Sequence, residues 1–334
     1  MAPLEDIPEY SFDHRTTEYD PNNAYWLSFF ADSVYLERDE NEAILRELGL
    51  EAFDWHSSSG TEAFVASNSD AIIIAFRGTE PTDFNDIAAD LKAAQIDWLG
   101  GKVHTGFLGA IDEVDELVIS SITEQRNNEQ TVWITGHSLG GALAVLCAAH
   151  LKENDIDVSG VYTFGQPRLG NEIFCKVYNK LLGTRTFRFV NVDDIVPDLP
   201  PKSLTFGDSE LDYHDVGTPI WVTGNSELVK TYVPADSAIN EALSAAKAPG
   251  AHSSLGYRDA LFAKLNFNPF TAAVQQIQET QIASVDDLDD ETRELLSSAG
   301  IDIVELAEAA QNAKEAVTDA FEKASDWTKD LFKR

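Results

Sequence analysis

Gly136-His137-Ser138-Leu139-Gly140, followed by Gly141, holds a serine in the spacing G-x-S-x-G. The β-rich run Thr131–Thr135 precedes it, and a helical run opening with Gly141-Ala142-Leu143 follows. A strand that turns this sharply into a helix strains the serine backbone, and the glycines remove side chains that would clash. The serine oxygen then stands at a helix N-terminus, where developing negative charge is favoured. Ser138 is therefore the candidate nucleophile. Such a serine needs a base, and the base needs an orienting acid. After Ser138 the histidines are His150, His214 and His252. His150 lies in the helix that leaves the serine and is expected to point away. His214 and His252 both stay open. The acid should follow a strand that neighbours that of the serine. Arg185–Val190 reads as such a strand, and both Asp193 and Asp194 come after it. Spacing alone does not choose between them.

The surrounding elements must hold these groups together. Residues 22–48 read as helices, with Tyr25, Trp26, Phe29, Phe30 and Val34 at helical spacing. Strand-like runs follow at Glu51–His56, Thr61–Ala66 and Ala71–Arg77. The unbroken Ala-Ile-Ile-Ile-Ala-Phe in the third suits a strand covered on both faces. Ile111–Ile122 reads as an amphipathic helix. Then strands at Thr131–Thr135, Val158–Phe164 and Arg185–Val190 alternate with helices at Ser138–Leu151 and Asn171–Leu182. That alternation predicts a mainly parallel sheet with helices on both faces. Residues 204–233 look like hairpin material, and Ser253–Leu265 like a last helix on the sheet. Asn266–Pro269 breaks the pattern, so a boundary is placed at 268.

The tail, 269–334, is rich in Ala, Asp and Glu and shows no strand pattern. Its apolar positions Ile303, Leu306, Ala310, Ala313, Val317, Ala320, Ala324, Trp327 and Leu331 step by three and four. Such a seam can pair with a second copy or dock on the main domain. Leu288–Ala307 resembles a helix-hairpin-helix unit, but acidic residues stand where its phosphate-binding glycines would be. The whole chain of 334 residues carries 57 acidic and 24 basic side chains, a formal charge of −33. Nucleic acid and anionic membrane surfaces would repel it. The excess serves solubility or, as a second reading, life in high salt. Two cysteines, Cys147 and Cys175, do not make a disulfide framework. Met1–Arg15 carries acids and no apolar core, unlike a secretory signal. The expectation is a protein kept inside the cell or exported without such a signal.

Four further stretches make a resemblance specific. They are Phe76-Arg77-Gly78-Thr79, His104-Thr105-Gly106-Phe107, and Phe164-Gly165-Gln166-Pro167-Arg168-Leu169-Gly170-Asn171 followed by Asp194-Ile195-Val196-Pro197-Asp198-Leu199-Pro200-Pro201. With the serine motif, and in this order, they resemble the class 3 lipases over roughly residues 20–268. The resemblance implies an α/β-hydrolase fold with a mainly parallel central sheet flanked by helices, here with a C-terminal helical appendage. It implies Asp194 as the acid and His252 as the base, although the long loop Asn225–Ala251 departs from the pattern. It also implies an oxyanion hole from the backbone N–H groups of Leu139 and Thr79, and a lid within residues 80–97. Phe84, Ile87 and Leu91 share the apolar face of that segment. The implied substrate is an acyl ester of lipid, met transiently at a lipid–water interface, with a phospholipase A1, a soluble esterase or, last, a catalytically silent hydrolase scaffold as alternatives. Neither a metal nor a cofactor is called for.

Overall fold

The computed structural model describes residues 10–78, 94–127, 129–206, 209–222, 228–229 and 252–265. Thr79, Phe84, Ile87, Leu91 and the tail 269–334 lie outside the described residues, as does most of the loop Asn225–Ala251. The chain divides into the units Met1–Lys264 and Leu265–Arg334, and the fold below is that of the first.

Helix α1 (Pro21–Ser33) starts where Asp20 accepts from the Asn23 N–H and Pro21 supplies a fixed φ. Helix α2 (Arg38–Glu47) follows. Strands β1 (Ala52–Ser58), β2 (Thr61–Ser67) and β3 (Ala71–Phe76) form an antiparallel meander. Its first turn has Ser59 and Gly60 both at positive φ, the signature of a tight hairpin. A small hairpin comes next, β4 (Gln95–Trp98) with β5 (Gly101–His104), turned by Leu99 and Gly100. Then come α3 (Thr105–Asp112) and α4 (Asp115–Gln125). Where the sequence pattern predicts one helix over Ile111–Ile122, the chain bends at Val114. The bend turns the Asp115 side chain inward onto His150.

The crossover units follow as β6 (Thr131–His137), α5 (Leu139–Glu153), β7 (Gly160–Phe164), α6 (Glu172–Leu182) and β8 (Thr186–Asn191). The 204–233 region is a separate hairpin, β9 (Ser203–Phe206) with β10 (Ser209–Asp212). After it, β11 (Thr218–Val222) and β12 (Leu228–Val229) return to the main sheet. Helix α7 (Ser254–Leu265) completes the set. Among the described residues the main sheet has eight strands in the order β1-β2-β3-β6-β7-β8-β11-β12. The strands from β3 through β6, β7 and β8 to β11 run parallel.

The two faces of this sheet are built differently. One is aliphatic: Val65, Ile72, Ile74, Val132, Ile134 and Val161 pack with the Ala, Leu and Val side chains of α5. The other is aromatic and lies under α1. Trp133 and Tyr162 pack there, Tyr162 on Phe187, while Trp26, Phe29 and Phe30 of α1 pack on one another and on Phe64. Each of these rings is buried, worth about 1.5–3 kcal/mol apiece. The strict alternation of the strands separates the two sets. It also decides which side chains at the strand ends point to α1, and the candidate site is built at those ends.

Candidate active site

The serine sits at the junction of β6 and α5. Ser138 has φ 58° and ψ −128°, a strained conformation for a residue with a side chain. Its N–H donates to the Phe164 carbonyl at the end of β7 at 2.9 Å. The neighbouring glycines are required by space. A Cβ on Gly136 would stand 2.2 Å from the Gly140 carbonyl oxygen, and one on Gly140 2.1 Å from that of Phe76. Serine at a helix N-cap ordinarily bonds the first-turn N–H groups. Here the Ser138 side chain makes no cap hydrogen bond, so its oxygen is left for other work. Leu139 is the first residue of α5, and the opening N–H groups of a helix have no carbonyl within it to meet.

Asp194 lies three residues beyond β8 and is fully buried. Its Oδ1 accepts from the Val196 N–H at 2.9 Å. Its Oδ2 meets His252 Nδ1 at 2.8 Å and accepts from the Tyr257 hydroxyl at 2.7 Å. Asp193 is exposed, and its N–H turns back to Asn191 Oδ1. The choice between the two aspartates is thus made by which one turns inward. His252 is 2% exposed, and its Nε2 is buried with no hydrogen-bond partner among the described residues. Its ring centre lies 4.5 Å from that of His137, the residue before the serine, with the two planes tilted by 33°. Gly165 lies against both Asp194 and His252. It has φ 60°, and a Cβ there would stand 2.9 Å from both Asp194 Oδ2 and His252 Cε1.

A second layer fixes these groups. Burial, and then the nearby Asp194, push the Tyr257 phenol well above its ordinary value, so it remains a donor. Its oxygen also accepts from the Asn191 N–H at 2.9 Å, tying α7 to the end of β8. Burial and the neighbouring His252 push His137 well down, which keeps that imidazole neutral. Tyr35 Oη meets His137 Nδ1 at 3.2 Å and accepts from the Gly78 N–H at 3.1 Å. One phenol therefore links the serine turn to the end of the segment that leads into Thr79.

The rival histidines lie elsewhere. His214 is partly exposed beside Asp212, 3.4 Å away, and its N–H donates to the Gly170 carbonyl. His150 bonds Asp115 against α4, as its place in α5 predicts. Sequence reasoning did not single out Tyr35, Gly165 as a wall of the site, or Tyr257. Only Tyr257 had a local signal, since it follows His252 closely, in the helix predicted to begin at Ser253.

The parallel sheet, the serine turn after β6 and the inward aspartate after β8 define an α/β-hydrolase. The class 3 lipase family model matches residues 73–204, and the chain belongs to that family. It is similar to a lipase of Rhizomucor miehei, 32% identical over 206 residues, covering 58% of this chain and 52% of the relative. It is similar to a secreted mono- and diacylglycerol lipase of Fusarium solani, 32% identical over 179 residues, covering 50% and 49%. Its fold resembles a solved triacylglycerol lipase whose catalytic centre is a serine protease triad. That likeness has 30% identity and a TM-score of 0.51, and covers 61% of this chain and 80% of the other. The chain spans about half the length of the curated relatives it matches.

Proposed function

We propose that this protein is a serine hydrolase that cleaves carboxylic esters of lipids through an acyl-enzyme, with Ser138 as nucleophile, His252 as base and Asp194 as the orienting acid. His252 Nε2 takes the hydroxyl proton as the Ser138 oxygen attacks the ester carbonyl carbon. The carbonyl oxygen becomes an oxyanion, held by the N–H groups of Leu139 and Thr79. The intermediate collapses as the carbon–oxygen bond to the alcohol breaks, and His252 returns the proton to that alcohol. Water then repeats the sequence on the acyl-serine and releases the acid. Asp194 stays ionised and stabilises the imidazolium.

The observation that carries this reading is the state of His252. A buried imidazole is aimed by a carboxylate that also bonds the Val196 N–H and the Tyr257 hydroxyl, while its Nε2 has no partner among the described residues, beside a serine whose hydroxyl makes no cap bond. The acylglycerol substrate class is supported by the mono- and diacylglycerol and triacylglycerol lipases among the relatives. The apolar positions Phe84, Ile87 and Leu91 support a lid over the acyl site. The seam Ile303–Leu331 supports self-association of the tail as a separate property. A series of esters graded in chain length and headgroup, assayed beside Ser138→Ala, tests the reading. Hydrolysis of acylglycerols by the wild type and none by the variant is expected. Cleavage of phospholipid alone would move the substrate to a phospholipase A1. Cleavage of no ester would overturn the proposal.

A further inference from the structure

His252 is carried by a short segment of chain, and one hydrogen bond to Asp194 does not fix where its backbone stands. Helix α7 begins two residues later and spans 12 residues. A helix of that length is marginal alone in water, so docking must order it. Its buried side chains Tyr257, Ala260 and Leu261 supply apolar contact, which is tolerant of small sliding. The directional contacts are polar: the Tyr257 hydroxyl ties α7 to β8 and Asp194, and two more bonds reach α1. Ser254 Oγ donates to Asp32 Oδ1 at 2.6 Å, and Arg258 Nη1 donates to Asp32 Oδ2 at 2.7 Å. Ser254 and Arg258 are four apart and so share one face of α7. Asp32 lies in the last turn of α1, more than 200 residues earlier. Its carboxylate is thus gripped at both oxygens by the helix that follows the base. The Arg258 and Asp32 side chains are 8% and 12% exposed, so water screens the pair little.

We infer that Asp32 is a positioning residue for His252: its carboxylate, through Ser254 and Arg258, sets the register of α7 against α1 and so places the base beside Ser138. This rests on the proposed triad. A charge-assisted grip at two points resists both sliding and rotation of the helix. Without it the apolar contacts and the Tyr257 hydroxyl still hold α7 to the sheet, but the helix loses its anchor on α1 and the imidazole can drift relative to the serine. A misplacement of about 1 Å at a catalytic group costs about 100-fold in rate.

The test uses the full chain and a soluble ester, with active sites counted by a fluorophosphonate so that kcat is expressed per reactive serine. Asp32→Ala and Arg258→Ala should each lower kcat per site about 10- to 100-fold and leave KM little changed. The double variant should fall no further than either single one, because the two act as a unit. Arg258→Lys should recover much of the loss. Asp32→Asn, which keeps the shape and one acceptor for Ser254, and Ser254→Ala serve beside these if Asp32→Ala folds poorly, and both should show smaller losses of the same kind. Unchanged kcat per site with only a lower melting temperature or fewer reactive sites would overturn the inference, as would losses that simply add. A His252→Ala control separates the two layers. If that variant keeps full activity, the triad itself falls. If it is inactive while Asp32→Ala, Asp32→Asn and Arg258→Ala match the wild type, the positioning role alone falls.

Discussion

Two buried aspartates in this domain each hold a histidine, and only one of the pairs fits the chemistry proposed above. Asp115 and His150 join α4 to α5 on the aliphatic face. Asp115 Oδ1 is buried without a hydrogen-bond partner among the described residues, and burial pushes the carboxyl above its ordinary value, with His150 working against the shift. The His150 side chain is 33% exposed and faces no strained serine. Asp194 differs at every point. Both of its oxygens are engaged, its histidine is enclosed, and that histidine leaves its far nitrogen without a partner among the described residues. An aspartate–histidine contact is therefore no sign of catalysis by itself. The sign is a satisfied acid behind the histidine and a reactive group in front of it.

The largest effects should fall on the second pair and on its serine. Ser138→Ala and His252→Ala should each lower kcat about 10⁴- to 10⁶-fold, and Asp194→Asn about 10⁴-fold, with folded protein in each case by circular dichroism. His150→Ala, assayed beside them, should keep the wild-type rate. A large loss there with none at His252 would invert the comparison. Next in size is Gly165→Ala. Its new methyl would press on both Asp194 Oδ2 and His252 Cε1, and the positive φ adds strain. We expect a fall of about 10- to 100-fold in kcat on a soluble ester, with little change in KM.

Smaller effects sharpen the contrast. Tyr257→Phe removes one donor from Asp194, whose carboxylate then holds the imidazolium of His252 more strongly. The acid limb of the kcat/KM profile should move to higher pH, by less than about one unit, with a few-fold loss in rate. An unmoved limb would mean that the hydroxyl only packs. The smallest effect concerns Asp115, whose folded form is displaced towards the protonated state. A raised carboxyl contributes most below its unfolded value of 3.8 and loses that contribution as pH rises through the folded value. Relative to wild type, Asp115→Asn should therefore gain melting temperature as pH rises from about 4 to 7.

The parallel strands and the serine turn were legible in the sequence because both rest on local pattern. Apolar runs, glycines at fixed offsets and the switch from strand to helix period all lie within a few residues of Ser138. But Arg185–Val190 is not the neighbour of the serine strand that was expected, since β7 stands between β6 and β8 and strand order is set by long-range pairing. The small β4–β5 hairpin went unread although Leu99-Gly100-Gly101 offered a turn signal. Asp194 and His252 were not separable from Asp193 and His214 by spacing. Which aspartate turns inward after β8 depends on the three-dimensional course of that loop. Family resemblance favoured Asp194 and His252, and they are the two that meet. Tyr35, Tyr257 and Asp32 were out of reach for another reason. Their partners lie far along the chain, as in the grip of Asp32 on α7, and a tyrosine or aspartate on a helix face carries no local mark of such a role.

The most direct test of the proposed triad is fluorophosphonate labelling of the full-length protein, followed by peptide mass spectrometry. The account predicts one adduct, on the peptide bearing Ser138, formed far more slowly in His252→Ala and at the wild-type rate in His150→Ala. An adduct on another residue, or labelling of Ser138 that is indifferent to His252, would contradict it.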